Sequence, residues 1–205
     1  MTPLGLTALG MVNALGGSLS TISNNIFYSH DSKLSKVTLK TTGEKVLAGR
    51  VLTPLPDFPE ELLEYSCRNH ALAYSAFLQI KNDVSRVIEK YGAERVGTVL
   101  GSSTSGLDAS ETAVFSWLNS GELPPDYNFL TQHQMGGVSE FIARLSKAKG
   151  PFFTVSTACS TSAKAFASAS NLIHLNICDA VIVGGVDTLC HLTLNGFRAL
   201  ELLSN

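Results

Sequence analysis

Residues 154–189 read TVSTACSTSAKAFASASNLIHLNICDAVIVGGVDTL and follow Gly150-Pro151. Phe152–Val155 has the character of a short strand and Ser156–Thr161 that of a turn of small residues. Ser162–Leu175 is an alanine-rich helix, and Ala180–Val183 is a second strand that runs into Gly184-Gly185-Val186-Asp187. Strand, helix, strand in that order is a βαβ unit, so the chain is expected to be α/β with a parallel sheet and helices packed on it. Cys159 falls in the strand-to-helix turn. The free N–H groups and the dipole at the start of the following helix favour a thiolate there, and small neighbours leave the sulfur accessible. Ala158 and Ser160, on either side, are the candidate turn and oxyanion support for attack on a thioester. The alanines at 163, 165, 167 and 169 let the helix approach another backbone closely. An ordinary buried cysteine at a strand end fits the same local pattern, and the pattern alone does not separate the two.

Upstream, Leu4–Val12 is an apolar run that predicts a buried strand, and Ser18–Asn25 a short helix capped by serine. The polar stretch from Tyr28 to Pro59 carries Gly43, Gly49, Pro54, Pro56 and Pro59, which suits a hairpin followed by an extended loop. Glu60–Lys90 repeats apolar residues at helical spacing from Leu62 to Ile88, and Gly92 is a natural stop. Arg95–Leu100 reads as a strand, Gly101–Gly106 as a tight loop, Ser110–Leu118 as a helix and Gln134–Lys147 as another. No internal repeat divides the 205 residues, which suffice for one domain or for one half of a larger enzyme.

Composition narrows the partners. A net charge of −2 gives no basic footprint for nucleic acid. Charged residues make up only 16% of the chain against 44% hydrophobic, a balance expected where another polypeptide covers part of the surface. The four cysteines, at 67, 159, 178 and 190, show neither a C-x-x-C pair nor metal spacing, which suggests a reduced, cytoplasmic chain without a metal site. No stretch reaches the roughly 20 apolar residues of a membrane span. The apolar N-terminus lacks a basic leader, and reads as a strand and turn rather than a signal peptide.

The quoted stretch resembles the β-ketoacyl synthase signature: a Gly-Pro, a strand, a T-A-C-S nucleophile turn, an alanine-rich helix, an acidic residue before a strand, and G-G-x-D. Asn195-Gly196-Phe197-Arg198-Ala199-Leu200 resembles the segment that comes next in that family, and Thr7–Gly16 resembles its first strand and turn. The resemblance implies a thiolase-like αβαβα layered fold, of which residues 1–205 form the first of two pseudo-symmetric halves. It also implies a decarboxylative Claisen condensation in fatty acid or polyketide assembly. An acyl carrier protein would pass an acyl group to Cys159, and malonyl and acyl groups would arrive on its phosphopantetheine with no separate cofactor. Phe197 is the candidate for contact with the acyl chain. The family's two catalytic histidines lie in its second half. None of His30, His70, His133, His174 or His191 sits in a matching motif, so the expected partner is a complementary C-terminal half or a homologous ketosynthase subunit. The alternative is a non-catalytic subunit like the chain-length factors, although those typically replace the nucleophile.

Other residues point to architecture. Gly184, Gly185 and Asp187 are expected to shape the turn rather than react. Gly101–Gly106 lacks the phosphate-binding patterns G-x-x-x-x-G-K-[ST] and G-x-G-x-x-G, which argues against nucleotide binding. Asp108 and Glu111 are expected to be first-turn charges at the start of a helix.

Overall fold

A computed structural model describes residues 3–203. In chain order it comprises α1 (Leu19–Tyr28), β1 (Leu34–Thr38), β2 (Lys45–Gly49), α2 (Arg68–Leu78), α3 (Lys81–Tyr91) and β3 (Val96–Gly101). There follow α4 (Leu107–Ser120), α5 (Gly137–Ser146), β4 (Phe152–Val155), α6 (Thr161–His174), β5 (Ala180–Gly185) and α7 (His191–Ala199). β3 is the centre of a parallel sheet ordered β4-β3-β5, with Val99 opposite Phe153 on one side and Val183 on the other. The expected βαβ unit is therefore present, with β3 inserted between its two strands.

All six residues of β3 are buried, because the sheet is covered on both faces. On one face Val96, Leu100 and Ile182 pack with Val138, Phe141 and Ile142 of α5 and with Phe77 and Val84 of α2 and α3. On the other, Val99 meets Ala165 and Ala169 of α6, which are one helical turn apart. Only these two of the four expected alanines face the sheet; Ala163 and Ala167 are exposed on the outer side of α6. Arg95 fixes the register of β5 before it begins. Its Nε donates to Asp179 Oδ2 at 2.7 Å, and its Nη1 reaches the carbonyls of Asn176 and Ile177 at 2.8 and 3.0 Å. The guanidinium holds the Asp179 carboxyl below its ordinary range.

The expected hairpin forms from β1 and β2 in antiparallel register, and Ser18 caps α1 through its hydroxyl, which accepts from Thr21 N. The hairpin buries Leu39, Val46 and Ala48 against Leu194 of α7.

One expectation is corrected. Leu4–Val12 forms no strand: its residues are mostly exposed and no backbone–backbone hydrogen bond joins residues 3–12 to the sheet among the described residues. An apolar run reports a preference for burial, whereas a strand also needs a neighbouring edge to pair with. The helical character of Glu60–Lys90 resolves into a 3-10 turn at Glu60–Tyr65, an extended Cys67, and the separate α2 and α3. The breaks let Leu62, Tyr65, Phe77 and Val84 all enter one core cluster, which a single straight helix of that length cannot do.

His70 lies wholly inside this cluster. Its ring stacks on Phe141 at 5.5 Å between centroids, Nδ1 bonds the Tyr65 carbonyl at 2.8 Å, and Nε2 has no protein partner. Burial pushes its pKa from 6.5 down to about 4. The unfolded chain binds a proton here that the folded chain refuses. Stability from this group is therefore complete above pH 6.5 and is lost as pH falls towards 4. Between pH 7 and 4.5 the loss is expected to be about 2–3 kcal/mol, and His70→Phe should remove that part of the dependence. Urea unfolding of both proteins at the two pH values measures it.

Candidate functional site

The C-terminal ends of β4, β3 and β5 lie side by side, and the three loops that leave them build the site. After β4 the chain makes a 3-10 turn at Ala158–Ser160 and enters α6 at Thr161. Ala158 sits at φ +51°, in the left-handed region that a side chain with a Cβ avoids, at a cost on the order of 1–2 kcal/mol. Neighbouring hydroxyls hold it there. Thr157 N donates to Thr161 Oγ1 at 2.8 Å, Ser160 Oγ to the Thr157 carbonyl at 3.0 Å, and Ser103 Oγ to the Ala158 carbonyl at 3.2 Å. Cys159 therefore projects from a strained, pinned turn just before Ser160, the N-cap of α6. There the positive end of a 14-residue helix favours negative charge developing on an attacked carbonyl oxygen.

Cys159 is exposed, whereas Cys67, Cys178 and Cys190 are buried. Burial pushes the Cys67 thiol up to about 12 and also raises that of Cys178. Ala158 and Ser160 flank Cys159 as expected. Phe197 is half-exposed on α7.

The architectural reading of Asp187 and Gly185 holds. Asp187 Oδ1 accepts from Ser103 N at 2.7 Å, Thr104 N at 2.9 Å, Thr104 Oγ1 at 3.1 Å and Ser102 Oγ at 3.2 Å. The loop after β3 is thus an anion cradle in geometry, and its anion is a carboxylate of the same chain. A Cβ on Gly185 would lie 2.1 Å from Ser162 Oγ, and one on Gly101 2.6 Å from Thr161 Cγ2, so both glycines let α6 begin against the strand ends. Gly184 has no such neighbour, since a Cβ there would meet only Leu100 Cδ2 at 3.8 Å.

Sequence reasoning missed Ser103, Thr104 and Thr161, because hydroxyl residues in a loop carry no signal of which carboxylate or carbonyl they will meet. It also misplaced Glu111. The Glu111 carboxylate accepts from the backbone of His191 at 2.9 Å and Leu192 at 2.6 Å, and so caps the start of α7 rather than of its own helix. Asp108 does lie in the first turn of α4, where burial raises its carboxyl pKa. Among the histidines, His133 Nδ1 lies 2.6 Å from Ser110 Oγ, and His174 Nδ1 lies 2.8 Å from the Ser170 carbonyl.

The site thus presents an exposed cysteine on a turn between a parallel strand and a helix, tied through Ser103 and Asp187 to the G-G-x-D end of β5. The sequence profile of the family described as "Beta-ketoacyl synthase, N-terminal domain" matches residues 71–205, and the chain belongs to this family. It is similar to a chain solved in the complex "Ketosynthase (ApeO) in Complex with its Chain Length Factor (ApeC) from Xenorhabdus doucetiae". The TM-score is 0.88 at 37% identity, covering 97% of this chain and 50% of that one. A β-ketoacyl synthase from Burkholderia phymatum STM815 shares the fold at TM-score 0.81 and 21% identity, with 98% and 50% covered. In sequence, 3-oxoacyl-[acyl-carrier-protein] synthase 2 of Rhizobium meliloti (strain 1021) is 31% identical over 109 residues, which are 53% of this chain and 26% of that protein. The chain thus spans half the length of these solved chains and matches about a quarter of that curated relative. The thiolase-like fold expected from the sequence is the fold observed. No helix among the described residues is long and apolar enough to cross a membrane.

Replacing Asp187 by Ala leaves the loop after β3 without its acceptor. Destabilisation of about 2–4 kcal/mol is expected, together with slower modification of Cys159 as Ser103 releases the turn. Urea unfolding and timed thiol labelling, each against the wild type, measure the two effects.

Proposed function

We propose that this chain is the nucleophile-bearing part of a β-ketoacyl-[acyl carrier protein] synthase, accepting an acyl group on Cys159. The observation that carries this reading is the placement of Cys159, exposed on a strained turn at the N-terminus of α6 while the other three cysteines are buried. In the first half-reaction the sulfur attacks the thioester carbonyl, and the N–H groups around Ala158 and Ser160 steady the oxyanion. The phosphopantetheine thiol then leaves with the proton that Cys159 gave up. The acyl donor in this reading is an acyl carrier protein, and the setting is the cytoplasm.

Carbon–carbon bond formation needs more. Loss of CO2 from a malonyl thioester generates an enolate that requires positioned hydrogen-bond donors. His70 is sealed in the core and held neutral, and His133 is engaged with Ser110. We assign those donors to residues outside these 205, in a complementary C-terminal half or a homologous ketosynthase subunit. Large apolar side chains on the same sheet and helix await a cover: Phe152 and Phe153 on the outer strand β4, and Phe166 on α6, are 50%, 38% and 42% exposed. Heterodimer formation is favoured by the likeness to a chain solved in a ketosynthase–chain length factor complex. The same likeness keeps a chain-length-factor role as the second reading, in which Cys159 is present but not acylated.

The test is incubation with octanoyl-phosphopantetheine followed by intact-mass and peptide analysis. A single octanoyl adduct on Cys159, abolished by Cys159→Ala, is the expected result. No adduct, or adducts shared with Cys67, Cys178 or Cys190, would reject the nucleophile assignment. With a general alkylating reagent on the folded protein, Cys159 should react at least about tenfold faster than the three buried cysteines. The chain alone should release no CO2 from malonyl-phosphopantetheine above the uncatalysed rate.

A further inference from the structure

The tip of the β1–β2 hairpin reaches two helices at once. Its turn is closed by Leu39 N, which donates to the Glu44 carbonyl, and by Gly43 N, which donates to the Leu39 carbonyl, both at 2.8 Å. Gly43 makes the turn possible at φ +74°. From this tip Lys40 places its Nζ 5.3 Å from the centre of the Phe115 ring on α4. Thr41 Oγ1 donates to Asn195 Oδ1 at 2.8 Å, and Arg198 donates through Nε and Nη2 to the two Glu44 oxygens at 3.1 and 2.9 Å. Asn195 and Arg198 belong to α7, whose other end is held at the site. There Glu111 of α4 caps the N–H groups of His191 and Leu192, and Thr188 N donates to Thr104 Oγ1 at 3.0 Å. The hairpin therefore fixes the far end of a helix that starts from the loop bracing the Cys159 turn.

Helical spacing of about 100° per residue puts Leu194, Asn195 and Arg198, the residues gripped by the hairpin, on one side of α7. Leu192, Thr193, Gly196 and Phe197 fall on the other, with Leu200 just past the helix end. Thr193 spends its hydroxyl on the Cys190 carbonyl at 3.0 Å, which leaves this side apolar. Leu192, Phe197 and Leu200 are exposed, and a Cβ on Gly196 would meet nothing within 4 Å. The stripe runs from the site end outward for about 13 Å, the scale of a medium-length acyl chain. An ion pair as open to water as Glu44–Arg198 adds little to stability, so its placement matters more than its strength. We propose that the hairpin tip is a clamp that sets which acyl chains Cys159 accepts, with Glu44 and Thr41 as positioning residues. They act through α7, holding its apolar stripe along the acyl chain. This role rests on the reading of Cys159 as the acyl acceptor given under Proposed function.

The test compares rates of Cys159 acylation by octanoyl- and acetyl-phosphopantetheine, read by intact mass on the chain itself. Their ratio is unaffected by a general loss of folded protein. Glu44→Arg, which turns the grip on Arg198 into repulsion, should lower the octanoyl-to-acetyl ratio by about fourfold or more, the value of one methylene taken out of contact. Combining it with Arg198→Glu, which restores the pair with its charges exchanged, should restore the ratio. Thr41→Ala should lower the ratio in the same direction, and it carries the test alone if Glu44→Arg loses its native circular dichroism. A ratio unmoved in a natively folded variant overturns the proposal and marks a stripe covered by protein alone. A ratio that falls in Glu44→Arg and is not restored by the exchange also overturns it. A wild type that takes neither acyl group on Cys159 overturns the ketosynthase reading itself, an outcome distinct from acylation with an unmoved ratio.

Discussion

One carboxylate oxygen holds the reactive end of this molecule together. Asp187 Oδ1 gathers Ser102, Ser103 and Thr104, so the end of β5 is tied to the loop that leaves β3. Ser103 then carries the tie onward to the Ala158 carbonyl, across to the end of β4. Three strands contribute one loop each, and bonds between the loops add to those within them. The left-handed Ala158 is tolerable because the hydroxyls of Thr161, Ser160 and Ser103 occupy the positions around it. Without the tie from β5, the turn that presents Cys159 would be free to relax.

How far the sequence reveals this depends on the kind of information each residue carries. The strands at 152–155 and 180–185 and the helix between them were legible because short apolar runs and an alanine-rich repeat are local signals. Cys159 was legible because it stands among small residues in that turn, and the family resemblance separated it from a core cysteine. The partners of Asp187 and Glu111 were not legible, since each carboxylate meets a backbone some 80 residues away. Leu4–Val12 misled for a different reason. Its apolar pattern records a demand for burial, but the neighbour that would make it a strand is not found among the described residues. The helical spacing over Glu60–Lys90 did not show its breaks, because periodicity continues across a kink when the core on either side is the same.

The surface follows from the same arrangement. A sheet of three strands has two edges, and here both stand beside exposed apolar residues: Phe152 and Phe153 on β4, Leu4 and Leu6 near β5. Edges of this kind are usually blunted by charge, proline or a covering helix. Low overall charge and open edges are two expressions of one property, a surface shaped to be covered by protein.

The position of β3 also has a consequence for biosynthesis. The central strand is made early, yet the residue that fastens its loop, Asp187, lies 85 residues beyond Ser102. At about 5–20 residues per second a ribosome needs roughly 4–17 s to make that stretch. For about the first half of that interval β3 lacks both β4 and β5, and for nearly all of it β5, so an apolar strand waits in an incomplete chain. Non-local pairing of this sort slows folding and leaves strand edges open to the wrong neighbour. Yield in a cell should therefore track the chaperones that meet the nascent chain as closely as it tracks the stability of the finished fold.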